Sequence, residues 1–160
     1  MPLAIRDMTH DDLAACGWSG SPMHLESVAR ELHLAARGRA DYLVACPPSG
    51  LPIGKGGITY QLAPGSGTIW QLAVHPALQS LGVGTQLIHA MEDRMRERGC
   101  RHAEIRVEVT NHRARELYER LGYLAFAEVP DGWQTENGWY STVLTVMNKP
   151  LRTADRSGPG

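Results

Sequence analysis

Apolar positions along the chain switch between a spacing of two and a spacing of three to four, the signature of strands interleaved with amphipathic helices. Pro2 to Thr9 reads as a short strand, and Thr9 with Asp12 has the spacing of a capping pair ahead of Leu13-Ala14-Ala15. Gly17 and Gly20 keep that first helix brief. Ser21-Pro22 then offers a cap and a proline at the first helical position, and Leu25, Val28, Ala29, Leu32 and Ala36 continue one apolar stripe until Gly38. Asp41 to Cys46 and Ile53 to Gln61 are expected to form a hairpin around the proline-rich turn Pro47 to Pro52. After the turn Pro64-Gly65-Ser66-Gly67, the run Thr68 to Val74 is apolar enough for the middle of a sheet.

The second half repeats the alternation. From Gly82, Leu87, Ile88, Met91 and Met95 share a face opposite Glu92, Asp93, Arg94, Arg96, Glu97 and Arg98, and Gly99 stops the helix. Ala103 to Val109 alternates as a strand, with Ile105, Val107 and Val109 on one side and Glu104, Arg106 and Glu108 on the other. Asn111 to Leu121 carries Ala114, Leu117, Tyr118 and Leu121 at helical spacing, closed by Gly122. Two final strands, near Tyr123 to Val129 and Trp139 to Met147, are expected to flank a polar loop from Pro130 to Gly138, and a disordered tail is expected from 152 to 160. Alternating strands and helices predict an α/β domain with a mixed sheet, a single domain over residues 1–151.

Composition narrows the chemistry. At 160 residues there is chain enough for one core, and 16 Lys+Arg against 17 Asp+Glu leave no field that would gather nucleic acid or an anionic membrane. The N-terminal residues run into Arg6, Asp7, Asp11 and Asp12 rather than through a basic-then-apolar leader, so a cytoplasmic location is expected. Cys16, Cys46 and Cys100 are scattered and odd in number, and the histidines form no H-x-x-x-H or H-E-x-x-H pattern; neither a disulfide framework nor a metal site is expected.

The segment most suggestive of chemistry is Gln79-Ser80-Leu81-Gly82-Val83-Gly84, between a strand and a helix. Glycines at a helix start let backbone N–H groups turn toward an anion, and the positive end of the helix dipole favours a phosphate there. An ordinary strand-to-helix turn would look the same. The pattern is not a dinucleotide fingerprint, since no G-x-G-x-x-G is present. Gly50 to Gly56 fails as a nucleotide P-loop because three residues, not four, separate its glycines and Gly56 stands where a magnesium-binding hydroxyl belongs.

Leu72-Ala73-Val74-His75-Pro76 followed by Gln79-x-x-Gly82-x-Gly84 resembles the acyl-CoA-binding motif of the GCN5-related N-acetyltransferases. A second stretch is similar too: Asn111 opening a helix that carries Tyr118 and closes in Leu121-Gly122-Tyr123. The resemblance covers Ile5 to about Leu151. It implies the fold of that family, a mostly antiparallel central sheet with a splayed parallel pair, here Thr68 to Val74 and Ala103 to Val109, and flanking helices. It also implies acetyl-CoA as acyl donor. Leu72, Ala73 and Val74 would pair with the pantetheine arm, Val74 N–H would meet the thioester oxygen, and Gln79, Ser80, Leu81, Gly82, Val83, Gly84 and Thr85 would hold the pyrophosphate. Members often place Arg or Lys beside this loop, where this chain has neutral Ser80 and Leu81.

By the same resemblance Asn111 would bond the cofactor arm and Tyr118 would be the general acid for the leaving thiolate; from pattern alone they read as a helix cap and a core tyrosine. Ribosomal-protein N-terminal acetyltransferases of the family carry a glutamate five residues before the motif asparagine, a position taken here by Arg106. Glu108 is the candidate base, with Glu104 behind it, although pattern alone favours reading both as solvated or ion-paired strand glutamates. The acceptor pocket would draw on Trp18, His24, Glu26, Trp133, Gln134, Glu136 and Trp139, aromatics and carboxylates suited to a cationic amine. The expected activity is transfer of acetyl to the primary amine of a small molecule. A protein or peptide acceptor and a noncatalytic acyl-CoA-binding module are the alternatives, and homodimers, common in the family, are compatible with these residues.

Overall fold

A computed structural model describes residues 2–152. Among them are seven strands, β1 Ala4–Asp7, β2 Ala40–Cys46, β3 Gly54–Thr59, β4 Ser66–Val74, β5 His102–Glu108, β6 Leu124–Thr135 and β7 Gly138–Pro150, with helices α1 Pro22–Ala36, α2 Val83–Glu97 and α3 His112–Arg120. Two 3₁₀ segments, His10–Ser19 and Pro76–Leu78, complete the order. The strands form one mixed sheet in the order β1-β2-β3-β4-β5-β7-β6. The chain gathers into two compact units, one of residues up to Tyr60 with Ile69–Met91 and one of Gln61–Thr68 with the residues from Glu92 on.

In the first unit, β1 and β3 both pair antiparallel with β2, which is buried along its whole length. Val28 and Leu32 of α1 join Tyr42, Val44 and Cys46 in one buried cluster, with Met8 and, from the 3₁₀ segment, Cys16. The Thr9 N–H donates to Asp12 (2.8 Å) as expected of the cap, but Gly17 lies inside 3₁₀ turns that run to Ser19 instead of ending an α-helix. Arg6 adds a two-pronged ion pair to Asp12, 2.8 Å at each oxygen, holding that carboxyl down at about 2. The glycines of β3 have a packing reason. A Cβ on Gly54 or Gly56 would sit 3.0 Å from Val83 or Met91 of α2, and one on Gly57 would sit 3.0 Å from the Tyr42 ring.

In the second unit, β5 and β6 flank β7, each antiparallel to it. Here the expected polar loop from Pro130 to Gly138 is corrected: β6 and β7 continue through it as a long hairpin that reverses only at Glu136-Asn137, with Gly138 at φ 107°. Because β6 pairs on one side alone, Pro130 opposite Val143 breaks no ladder on its other side, and Trp133 meets Tyr140 across the strands with ring centroids 5.0 Å apart. Within the core of this unit, buried Glu92 accepts from the Tyr123 hydroxyl (2.7 Å) and from Lys149 Nζ (3.0 and 3.1 Å). The tail expected beyond Leu151 lies almost wholly outside the described residues.

Candidate active site

β4 is not a regular strand. Gln71 has φ 52°, a left-handed backbone that costs a non-glycine residue about 1 to 2 kcal/mol, and Leu72, Ala73 and Val74 follow directly, all half-buried. His75 then caps the short 3₁₀ turn by accepting the Ala77 N–H (3.2 Å), its ring 5.5 Å from that of Trp18. Beyond it, Ser80 and Gly82 both have left-handed φ, 70° and 81°. Alternating hand over consecutive residues turns peptide N–H groups to one side, a concave cradle of the kind that can bind an anion. The first α2 amide with a helical partner is that of Gln86, bonded to the Gly82 carbonyl at 3.1 Å, so Val83, Gly84 and Thr85 stand at the open positive end of a 15-residue helix. Gly82 is exposed and a Cβ there would touch nothing, so the cradle needs glycine for its backbone alone.

Behind β4 the same unit holds a polar cluster that sequence reading misses. Lys55 is wholly buried, its ammonium donating to the Gln71 carbonyl (3.0 Å) and the Tyr42 hydroxyl (3.1 Å) and facing His24 Nε2 at 3.1 Å. Tyr42 donates in turn to Gln71 Oε1 (3.0 Å), and Gln71 Nε2 donates to Ser27 Oγ (3.0 Å). Burial brings the lysine down to about 8 and, with the lysine's charge, His24 to about 4, so His24 is a neutral acceptor. Gly20 makes room for it: a Cβ there would lie 2.7 Å from the His24 ring. No motif announces this cluster, because a lysine between glycines in Gly54-Lys55-Gly56-Gly57 reads as a solvated strand residue.

In the second unit, Asn111 Oδ1 caps α3 by accepting the Ala114 N–H (3.1 Å), as its position predicts. Tyr118, on the inner stripe of α3, is 9% exposed and edge-on to Tyr123 at 6.5 Å. Its hydroxyl has no hydrogen-bond partner among the described residues, and burial pushes it up to about 12. At the end of β5, Glu108 Oε2 accepts from the hydroxyls of Tyr140 (2.7 Å) and Thr142 (3.0 Å), and the Tyr140 ring packs on that of Trp133. Tyr140 and Thr142 lie on the expected strand Trp139 to Met147, but the pairing of that strand with β5, which sets Leu144 opposite Glu108 and so brings their hydroxyls to its carboxylate, is not encoded in local spacing.

The remaining candidates fall differently. Glu104 is buried, its Oε2 taken by Thr68 (2.8 Å) and Arg106 (3.2 Å), so its carboxylate serves the interior rather than an incoming amine. Trp18 packs against the α1 core and donates to the Pro52 carbonyl (3.2 Å), while Glu26 is exposed on α1. Trp133 is 41% and Trp139 66% exposed, both on the hairpin. Among the described residues no group of three His, Cys, Asp or Glu is placed to hold a metal, and no helix is long and apolar enough to cross a membrane.

Several solved structures share this fold. The ribosomal-protein-S18-alanine N-acetyltransferase from Escherichia coli superposes with TM-score 0.75 at 19% identity, over 98% of each chain. A PaiA N-acetyltransferase from Thermoplasma acidophilum, in complex with coenzyme A, gives 0.69 at 16% identity, over 94% of this chain and 99% of that one. A spermidine N-acetyltransferase SpeG chimera from Vibrio cholerae and hSSAT gives 0.72 at 15% identity, over 93% and 95%. The family model described as Acetyltransferase (GNAT) family matches residues 6–123, a span that holds both the Gln79–Thr85 turn and Tyr118. The chain therefore belongs to the GNAT family of N-acetyltransferases, with acetyl-CoA as its acyl donor.

Proposed function

We propose that the acceptor is a primary amine on a small, cationic molecule. The observation that carries this reading is the Glu108 carboxylate, fixed by two hydroxyl donors, one of them that of Tyr140, whose ring in turn packs on Trp133; a carboxylate with aromatic rings near it attracts an ammonium by charge and by aromatic faces. An alkylamine of pKa about 10.4 stands about 4.6 kcal/mol from its neutral form at pH 7, and Glu108 receives that proton, directly or through water. Tyr118 gives its own proton to the leaving sulfur. Its height on the pH scale keeps it protonated throughout the working range. The proton then passes uphill to an ordinary thiol of pKa about 8.5, a cost that shrinks where the thiolate is also deprived of water.

The acyl donor would be held by the main chain of Leu72, Ala73 and Val74 and by the cradle from Gln79 to Thr85. The fit rests on the left-handed Ser80 and Gly82 and the open α2 start, which offer N–H groups to a diphosphate although no cation stands at positions 79–85. A peptide amine is the second reading, favoured by the exposure of Trp133 and Trp139, 41% and 66%, which suits an open surface more than a closed small-molecule pocket. Thiol release from acetyl-CoA with pooled polyamines, aminoglycosides, amino acids and basic peptides, run beside calorimetric titration of acetyl-CoA alone, separates these. Release with the small polycations is the expected result; release with peptides alone moves the acceptor to the second reading; binding without release from any pool identifies a noncatalytic acyl-CoA module.

A further inference from the structure

The kink in β4 is held by a buried cation. Gln71 adopts a φ that L-residues avoid, yet every polar group of its side chain and its own carbonyl is engaged: Oε1 by Tyr42, Nε2 by Ser27, and the backbone oxygen by Lys55 Nζ. Lys55 in turn finds three acceptors for three N–H bonds, the Gln71 carbonyl, Tyr42 Oη and His24 Nε2, all within 3.1 Å. No carboxylate takes part. Taking an ammonium out of water is costly, and a wholly buried one that meets only neutral acceptors gains nothing from an ion pair. What its charge does supply is a strong, directional hold on one carbonyl oxygen at the strained residue.

We infer that Lys55, with Tyr42 and Ser27, is a positioning device for the acyl-donor strand: it locks the left-handed turn at Gln71 and thereby fixes the direction of the Leu72, Ala73 and Val74 peptides. The inference deepens the reading of Leu72–Val74 as the strand that pairs with the acyl donor, and rests on it. None of the three side chains needs to touch acetyl-CoA. Their effect is conformational: without the clamp, Gln71 relaxes toward an extended φ and the peptides after it rotate. Glycine removes the reason for the clamp, because it populates left-handed φ without strain.

The test is a double-mutant cycle on the full chain, Lys55→Met, Gln71→Gly and the pair, with Tyr42→Phe as a milder variant that removes one clamp bond and leaves the lysine in place. Three readings are taken: the calorimetric Kd for acetyl-CoA, the KM for acetyl-CoA against kcat, and hydrogen exchange at the amides of Leu72, Ala73 and Val74. Lys55→Met is expected to weaken acetyl-CoA about tenfold, within the range of a conformational coupling, and to raise its KM with kcat at saturation little changed. It is also expected to speed exchange at 72–74 but not in α1. Tyr42→Phe is expected to do the same to a smaller degree, and Gln71→Gly added to Lys55→Met to restore most of the affinity. A lysine that only supports the core would lower thermal stability and the active fraction without raising KM, and glycine at 71 would recover nothing; that outcome overturns the inference. If wild-type protein binds no acetyl-CoA, the reading of the strand itself fails, whereas unchanged exchange at 72–74 in Lys55→Met overturns the clamp whatever the strand binds.

Discussion

A single hydroxyl decides how Tyr118 is to be understood. A core tyrosine ordinarily spends its O–H on a nearby carbonyl or carboxylate, as Tyr123 does on Glu92 and Tyr42 on Gln71. Tyr118 is 9% exposed, against 0% for Tyr123 and 1% for Tyr42, and its hydroxyl has no such partner among the described residues. A hydroxyl that bonds no other protein group adds little to the fold, so its removal probes the chemistry rather than the stability. Tyr118→Phe is therefore expected to leave thermal stability unchanged or slightly raised, to lower kcat on the order of 100-fold, and to alter acetyl-CoA affinity by less than about threefold. Stopped-flow thiol release beside calorimetry checks all three. An unaltered kcat would return Tyr118 to the core.

At the level of elements, what was legible in the sequence is what local spacing encodes. The α3 stripe of Ala114, Leu117, Tyr118 and Leu121, its Asn111 cap, the Ser21-Pro22 start of α1 and the glycine-containing turn before α2 all appear where their patterns place them. Features made by partners distant in sequence did not. Lys55 gains its meaning from His24, Tyr42 and Gln71, which are 31, 13 and 16 positions away. The β6–β7 hairpin was cut short because Pro130 and the polar run after it outweigh the Asn137-Gly138 pair, a strong turn signal placed at the true reversal. The cradle itself yields a prediction at this scale. Gly82→Val forces a β-branched residue into a left-handed φ in open space, so acetyl-CoA affinity is expected to fall at least tenfold while the melting temperature stays nearly constant. Gly82→Asn, which tolerates that region, is expected to lose far less, and isothermal titration of both variants makes the comparison.

For the molecule as a whole, titration of buried groups shapes stability against pH. Lys55 binds its proton less tightly when folded, at about 8, than the ordinary 10.5 of an exposed lysine, so between these values the unfolded chain holds more protons and stability rises with pH. From pH 8 to 10 that rise amounts to about 2 kcal/mol. Above pH 10 it is opposed by Tyr42, Tyr118 and Tyr123, all raised by burial, whose unfolded forms ionise first. At the acid end Asp12, depressed to about 2 by Arg6 and Thr9, adds stability that is complete above pH 4 and fades as pH falls through 2; with Arg6 partly exposed this is about 1 kcal/mol. Urea titrations across pH check both: Lys55→Met should remove the alkaline rise, and Asp12→Asn should cost stability at pH 7 but little near pH 2.

Pro130 has a consequence for how molecules of this protein treat one another. β6 ends the sheet, and at its start it bears Leu124 and Phe126, 72% and 59% exposed, a stretch on which a neighbouring chain could add a strand. The register shift between Ala125 and Ala127 bends that stretch, and Pro130 removes an N–H from the open side, so an approaching strand finds no continuous ladder to extend. A residue that looks like a flaw in a strand thus acts as a guard against fibrous self-association. Pro130→Val is expected to leave the hairpin intact and to shorten, severalfold, the lag before light scattering rises on gentle heating.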